Sequence, residues 1–464
     1  MKRIVSLLLL ASMLFSMSAC GQTVVEETDA VTESIAAETE SESAEPETEP
    51  ETEPETAEPI RSFDDREDYL HIGVYNLQNN AQTEEHIKDL ADSGVDYVLM
   101  VHHTFRETLD LFAKYGLGAV VVGALPSSST YKAYQKKLAT VEDHPAIWGI
   151  YFADEPTAVN FPVMGMHHGW VSELWPDKLV YVNLFPNYAT TAKSEAGRKN
   201  SDLGTFTYEE YIEVYCQYFD TDFICFDFYP YSWSDRSLAS GISKYYENFR
   251  IVSEACRTTG REVWFVGQVN SSRKHTFIST NEIRFQAFTG MAFGAEHIEW
   301  ACYSAGWWYN QILDEDGNKT EQYEKMKTVN WEIHTIAEEY MKYRNTATHF
   351  VGFAPDSVEM QYLDQEPVAS LHTDVFSDVK ADNGAPLVIG QMESRKDDGS
   401  YALMICASDD PADENNQSYN IIFRADDRTV KAFGGNGEIP VTRLEDGSYS
   451  VPICSNAGVL LTAE

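Results

Sequence analysis

From residue 71 onward, short apolar runs return at a steady beat: His71–Leu77, Asp96–Val101, Gly118–Gly123, Ile147–Phe152, Leu179–Phe185, Phe223–Phe228, Val263–Val269 and His297–Tyr303. Runs that are short and largely apolar mark strands buried on both faces, as in parallel sheets. The stretches between them carry helical spacing. Thr83–Ser93 places Ile87, Leu90 and Ala91 together, and Thr108–Tyr115 groups Leu109, Leu111 and Phe112 ahead of Gly116. A glycine there suits a helix C-cap. Asn281–Gly294 precedes the eighth run as a helix, and Glu321–Tyr343 follows it. Alternating strands and helices predict a parallel α/β fold. Eight repeats suit a closed (β/α)8 barrel of about 250 residues plus insertions. An open, doubly wound sheet is the alternative. It would want a glycine-rich phosphate turn after the first strand, where this chain has Gln78-Asn79-Asn80.

After about residue 349 the pattern changes. Ser370–Phe376, Pro386–Glu393, Tyr401–Ser408, Tyr419–Phe423, Thr429–Phe433, Tyr449–Pro452 and Gly458–Thr462 read as strands between Asp, Gly and Asn turns. Short strands at this spacing predict an all-β sandwich. The expected organisation is a barrel over residues 61–348 and a sandwich over 349–464.

The first sixty residues are not expected to belong to the fold. Lys2 and Arg3 precede an apolar run from Ile4 to about Phe15, then Met17-Ser18-Ala19-Cys20-Gly21. This is the make-up of an export signal, residues 1–20. A Cys directly after small residues resembles the bacterial lipobox, which implies lipidation of Cys20 and a place on the extracellular face of the membrane. Plain secretion, with Cys20 incidental, is the other reading. Residues 21–60 hold no Lys or Arg and repeat Glu, Thr and Pro. Such a segment buries too little apolar surface to offset its ordering entropy, so it reads as a disordered tether.

The net charge is −40. That argues against nucleic acid as a partner, because phosphates are bound by Lys and Arg. The seven cysteines show no metal-ligand spacing. Buried free thiols are expected, with a Cys406–Cys454 bridge as the alternative. No cofactor and no metal is expected.

Barrel enzymes build their sites where the strands end. The ends here offer Asn76 and Gln78; His102 and His103; Asp154 and Glu155; Asn183 and Asn187; Asp227, Tyr229 and Tyr231; Gln268 and Asn270; and Glu299, Trp300, Tyr303, Trp307 and Trp308. Carboxylates and amides bind hydroxyls and aromatic faces stack on sugar rings, so a carbohydrate is the expected ligand. The His102-His103 pair reads as polar rim more readily than as a metal site, because neighbours at a strand end point apart. In Trp148-Gly149-Ile150-Tyr151-Phe152-Ala153-Asp154-Glu155-Pro156 a Glu follows a central strand directly. A carboxyl among aromatics has the raised pKa that a glycosidic acid needs. A helix cap is the plainer reading of Glu155.

This stretch resembles the fourth-strand signature of clan A glycoside hydrolases, whose Asn-Glu pair carries the acid/base. Glu155 matches that Glu, and Asp154 stands where the Asn would be. Ile224-Cys225-Phe226-Asp227-Phe228-Tyr229-Pro230 is similar to the Asp-x-Tyr-Pro stretch of family 42 β-galactosidases. Asp314–Thr320, with Tyr323, Asn330 and Glu332, resembles the segment after the eighth strand of that group. The resemblance spans roughly residues 65–464. It implies a glycoside hydrolase, with Glu155, Asp227 and Glu299 as catalytic candidates. Asp154, His102, His103, Asn183, Tyr229, Gln268, Trp300 and Trp307 would then bind substrate. One departure matters. The clan's nucleophile, a Glu ending the seventh strand, is replaced by Gly267-Gln268. Three readings follow. The second carboxylate comes from another strand, as Asp227, Glu299 or, less readily, Asp154. Alternatively the substrate assists, with Gln268 orienting it, or the barrel only binds glycans. A structural surface protein without such a site is the reading outside carbohydrate chemistry.

Overall fold

Eight parallel strands close into a barrel in chain order, and the last pairs with the first. They are β1 (His71–Tyr75), β2 (Tyr97–Val101), β3 (Gly118–Val121), β4 (Ile147–Asp154), β5 (Leu179–Leu184), β6 (Phe223–Asp227), β7 (Glu262–Gln268) and β8 (Ala295–Ala301). Around them run α1 (Glu84–Asp92), α2 (Arg106–Lys114), α3 (Tyr131–Leu138), α4 (Phe161–Leu174), α5 (Tyr208–Tyr218), α6 (Leu238–Thr259), α7 (Thr280–Ala292) and α8 (Glu321–Tyr340). This computed structural model describes residues 68–101, 106–123, 125–126, 130–141, 143–231, 238–304, 306–413 and 415–464. The export signal, Cys20, the acidic segment 21–60 and the pair His102 and His103 lie outside the described residues.

Alternation along each strand sorts side chains between two cores. Ile72, Val74, Val98, Val180, Val182 and Ile298 face outward against the helices. Tyr75, Tyr97, Trp148, Tyr181, Cys225 and Trp264 fill the barrel interior. Space for these rings comes from small residues on neighbouring strands. A Cβ on Gly73 would meet Tyr97 Cζ at 2.7 Å and Glu299 Cγ at 2.8 Å. The helix starts follow ordinary capping rules. Thr83 accepts from the His86 N–H at the head of α1, and Ser279 and Glu282 form a reciprocal capping box on α7.

The second part opens with β9 (Tyr343–Val351), which straddles the boundary expected at 348/349 and takes the last residue from the expected helix 321–343. It is followed by β10 (Phe376–Ala381), β11 (Leu387–Ser394), β12 (Tyr401–Ala407), β13 (Ser418–Ala425), β14 (Val430–Gly434), β15 (Gly437–Ile439), β16 (Thr442–Arg443), β17 (Tyr449–Cys454) and β18 (Gly458–Ala463). They form a six-stranded sheet, β15-β14-β18-β12-β11-β9, and a four-stranded sheet, β10-β13-β17-β16. The expected strand Ser370–Phe376 is not one. Apart from Phe376, it is loop with a single bridge at Leu371.

The centre of the larger sheet is buried on both faces. Leu403, Ile405 and Ala407 of β12 join the sandwich core, whereas Ala402, Met404 and Cys406 pack with the barrel. Their partner is α7, on which every residue from Asn281 to Ala292 except Arg284 is buried. A helix without a polar stripe needs cover on all sides, and the sheet supplies the outer one. Cys406 therefore faces Thr289 Oγ1 at 3.5 Å, while Cys454 is exposed, and both are free thiols. The Cys406–Cys454 bridge does not form.

Candidate active site

The fourth strand ends in a strained turn. Glu155 has φ +44°, a left-handed conformation that suits glycine and costs another residue about 1 kcal/mol or more. Three contacts around it hold the turn. The Glu155 N–H donates to the Asn183 carbonyl at 2.9 Å, the Tyr211 hydroxyl donates to the Pro156 carbonyl at 2.7 Å, and Ala158 N–H reaches Leu203 O. Glu155 caps no helix, since the residue capping α4 is Asn160 and the short 3-10 turn before it is capped by Thr157. Its half-buried side chain is left for another role.

Three carboxyl groups meet here. The Asn183 side-chain nitrogen, on β5, donates to Asp154 Oδ1 at 3.1 Å and to Asp227 Oδ1 at 2.9 Å. Tyr151 also donates to Asp154, and Tyr229 to Asp227. Burial holds the Glu155 pKa well above 4.5, and the negative charges of Asp227, Asp154 and Asp202 push it in the same direction. Burial, then the charge of Asp154, raises Asp227 to about 7, against the lowering effect of the Asn183 amide. Asp154 is raised by its protein surroundings and lowered by Asn183 and Tyr151. It remains the most open of the three to solvent, so water screens much of its shift.

Aromatic rings wall the cluster. Tyr229 lies 5.1 Å from Trp308 and 6.1 Å from Trp307, and Trp307 lies 6.2 Å from Tyr75. The Tyr188 phenol sits within the field of both Asp227 and Glu155. The loop bearing the tryptophans is pinned where Asn270 Nδ2 and Gln311 Nε2 donate to the Trp307 carbonyl at 3.0 and 2.9 Å.

Asp154, Glu155, Asn183, Asp227, Tyr229 and Trp307 thus come together, and three other expected site residues do not. Trp300 points out of the barrel, fully buried, with Nε1 donating to Asn330 Oδ1 on α8 at 2.8 Å. Inward Glu299 and outward Trp300 follow from strand alternation, which forbids neighbours from sharing a face. Glu299 does face inward, but one layer below the mouth and fully buried, accepting from the Tyr97 hydroxyl at 2.6 Å. Burial lifts its pKa to about 8. Gln268 has its amide occupied. Its oxygen accepts from Tyr231 N–H at 3.1 Å and its nitrogen donates to the Asn270 carbonyl at 3.0 Å. It braces two loops and is fully buried. The Asn187 side-chain nitrogen donates to Lys244 O and Glu247 Oε2. The residues after the eighth strand are structural too: Asp314 closes its own turn, and Glu332 pairs with Arg284.

Sequence reasoning missed Tyr75, Tyr151 and Tyr188 at this site. Tyr151 lies three residues inside the end of β4, where a strand end gives no signal, whereas Tyr75 ends β1 itself. The β4 register also shifts between Tyr151 and Ala153, which breaks the simple alternation.

No family model matches the chain, and no curated protein resembles it in sequence. Among solved structures it is similar to α-L-fucosidase isoenzyme 2 from Paenibacillus thiaminolyticus, at 7% identity over 85% of this chain and 99% of the other, with a TM-score of 0.50. That likeness is one of fold. A family 39 glycoside hydrolase from Bacteroides cellulosilyticus WH2 aligns over 86% of this chain and 82% of its own, at 10% identity and a TM-score of 0.42. The endo-β-1,4-mannanase from Thermotoga petrophila aligns over 84% and 98%, at 10% identity and 0.40.

Proposed function

We propose that this chain hydrolyses glycosidic bonds of an extracellular glycan, with Glu155 as general acid and Asp227 as the second carboxyl. The observation that carries the reading is Glu155 itself. A carboxyl is held in a backbone conformation that favours glycine, half-buried at the barrel mouth, beside two further acids and an aromatic wall. Strain of this kind is kept where a side chain has to be aimed. Glycosidic cleavage needs one carboxyl to protonate the leaving oxygen and another to serve as base or nucleophile. Burial and then the neighbouring negative charges favour the protonated form of Glu155, which suits the first role. Asp227 is hydrogen-bonded by Asn183 and Tyr229, both of which favour its charged form, and fits the second. The two titrate together, so the rate should rise as the first proton leaves the pair and fall as the second leaves. Tyr229, Trp307 and Trp308 offer ring faces for sugars. Fold likeness to a fucosidase supports the same chemistry. Cys20 would tether the enzyme to the outer face of the cell membrane.

Glu155→Gln tests the proposal. Release of reducing sugar from a glycan panel should vanish while calorimetry still detects binding. Full activity in that variant sinks the acid assignment. Saturable binding with no turnover by the wild type would favour a surface glycan receptor, the reading that a seventh strand ending in Gly267-Gln268 suggests.

A further inference from the structure

Asn183 touches all three acids at once. Its backbone carbonyl fixes the turn by accepting the Glu155 N–H at 2.9 Å, and its side-chain nitrogen lies 3.1 Å from Asp154 Oδ1 and 2.9 Å from Asp227 Oδ1. The side chain is 3% exposed, so water does not substitute for these bonds. Its oxygen faces the Cys225 thiol at 3.8 Å, a weak donor, which agrees with the nitrogen pointing at the carboxyls. An amide NH2 has two hydrogens and no acceptor site. Each carboxyl oxygen it meets therefore acts as acceptor, which favours the ionised form of both acids. Among the described residues, no amide donates to the Glu155 carboxyl in this way.

We propose that Asn183 is a positioning residue that holds Asp154 and Asp227 as paired acceptors, so that the proton shared by the cluster resides on Glu155. The inference rests on the hydrolase reading only for its catalytic meaning, because the proton placement exists without substrate. Asn183 acts through the acids and need not touch sugar.

Other titratable groups face the cluster. Asp202 and Tyr188 come from the segment between β5 and α5, and Tyr208 and Tyr211 from α5. Tyr151 and Tyr75 belong to β4 and β1, Cys225 and Tyr229 to β6 and its loop, and Cys302 follows β8. Tyr151 and Tyr229 donate to one acid each, whereas Asn183 bridges two. Its removal should therefore move two titrations together.

The test is carboxyl titration by carbon-13 NMR on the full chain, wild type against Asn183→Ala. Without the amide, Asp154 and Asp227 should titrate higher, Asp227 by about one pH unit, and Glu155 lower. In the rate profile the acidic limb should move up and the basic limb down. Asn183→Asp, close in size, covers the case in which the alanine variant does not fold. A fourth acid there should raise the Asp227 titration further. Unchanged titrations of Asp227 and Glu155 in a folded variant overturn the inference, even if activity falls. Shifted titrations in a protein that cleaves no glycan uphold it and sink the hydrolase reading instead.

Discussion

Glu299→Gln isolates a single buried charge. The Glu299 side chain lies inside the barrel with no solvent contact, Oε1 bonded to Tyr97 and Oε2 without a partner among the described residues. Its pKa rises from 4.5 to about 8 on burial. The folded state therefore holds this proton more tightly than the unfolded state. The associated stability is complete below about pH 4.5, declines as pH rises, and is gone above about 8. At about 1.4 kcal/mol per pH unit, the whole span is about 5 kcal/mol, and about 3 kcal/mol is lost by pH 7. Glutamine cannot ionise and has no such slope. Its Nε2 would sit where Oε2 now has no partner, at a pH-independent cost of about 1–3 kcal/mol. The variant should thus be the weaker protein at pH 4.5 and gain on the wild type by about 3 kcal/mol towards pH 7. The other raised acids are common to both chains and cancel. Denaturant unfolding at matched ionic strength across this range reads the difference. A constant offset would refute the argument, and so would loss of turnover in the folded variant, which would place Glu299 at the chemistry.

Two further outcomes follow from the packing. Trp300→Ala should cost about 3–5 kcal/mol, because it empties a fully buried site between β8 and α8 and strands Asn330 Oδ1. Thermal unfolding checks this, and lost ligand affinity at unchanged stability would contradict the outward placement. A maleimide applied to the folded protein should modify exposed Cys454 well before Cys225, Cys302 and Cys406, which are buried with raised thiol pKa values. Peptide mapping that finds Cys406 joined to Cys454 would overturn the free-thiol assignment.

The sequence by itself determined the architecture. All eight barrel strands fall within two residues or so of their apolar runs, because a strand buried on both faces needs a contiguous apolar run and its neighbours are set by chain order. It also determined that Glu155 follows β4 directly, since a strand end is a local fact. Tertiary structure decided which acids meet. Asp227 and Glu155 converge because β5 lies between their strands and Asn183 reaches both sides. Nothing in the local pattern encodes that bridge. Depth along the barrel axis was also undecided: Glu299 and Asp227 both face inward, yet one is sealed under Tyr97 and the other reaches the mouth cluster. Strand alternation gives the face of a side chain, whereas the stagger of the closed sheet gives its height. Cys406 pointing at α7 and β9 starting inside an expected helix have the same origin. Both depend on how the sandwich packs against the barrel, a long-range contact that no short window of residues contains.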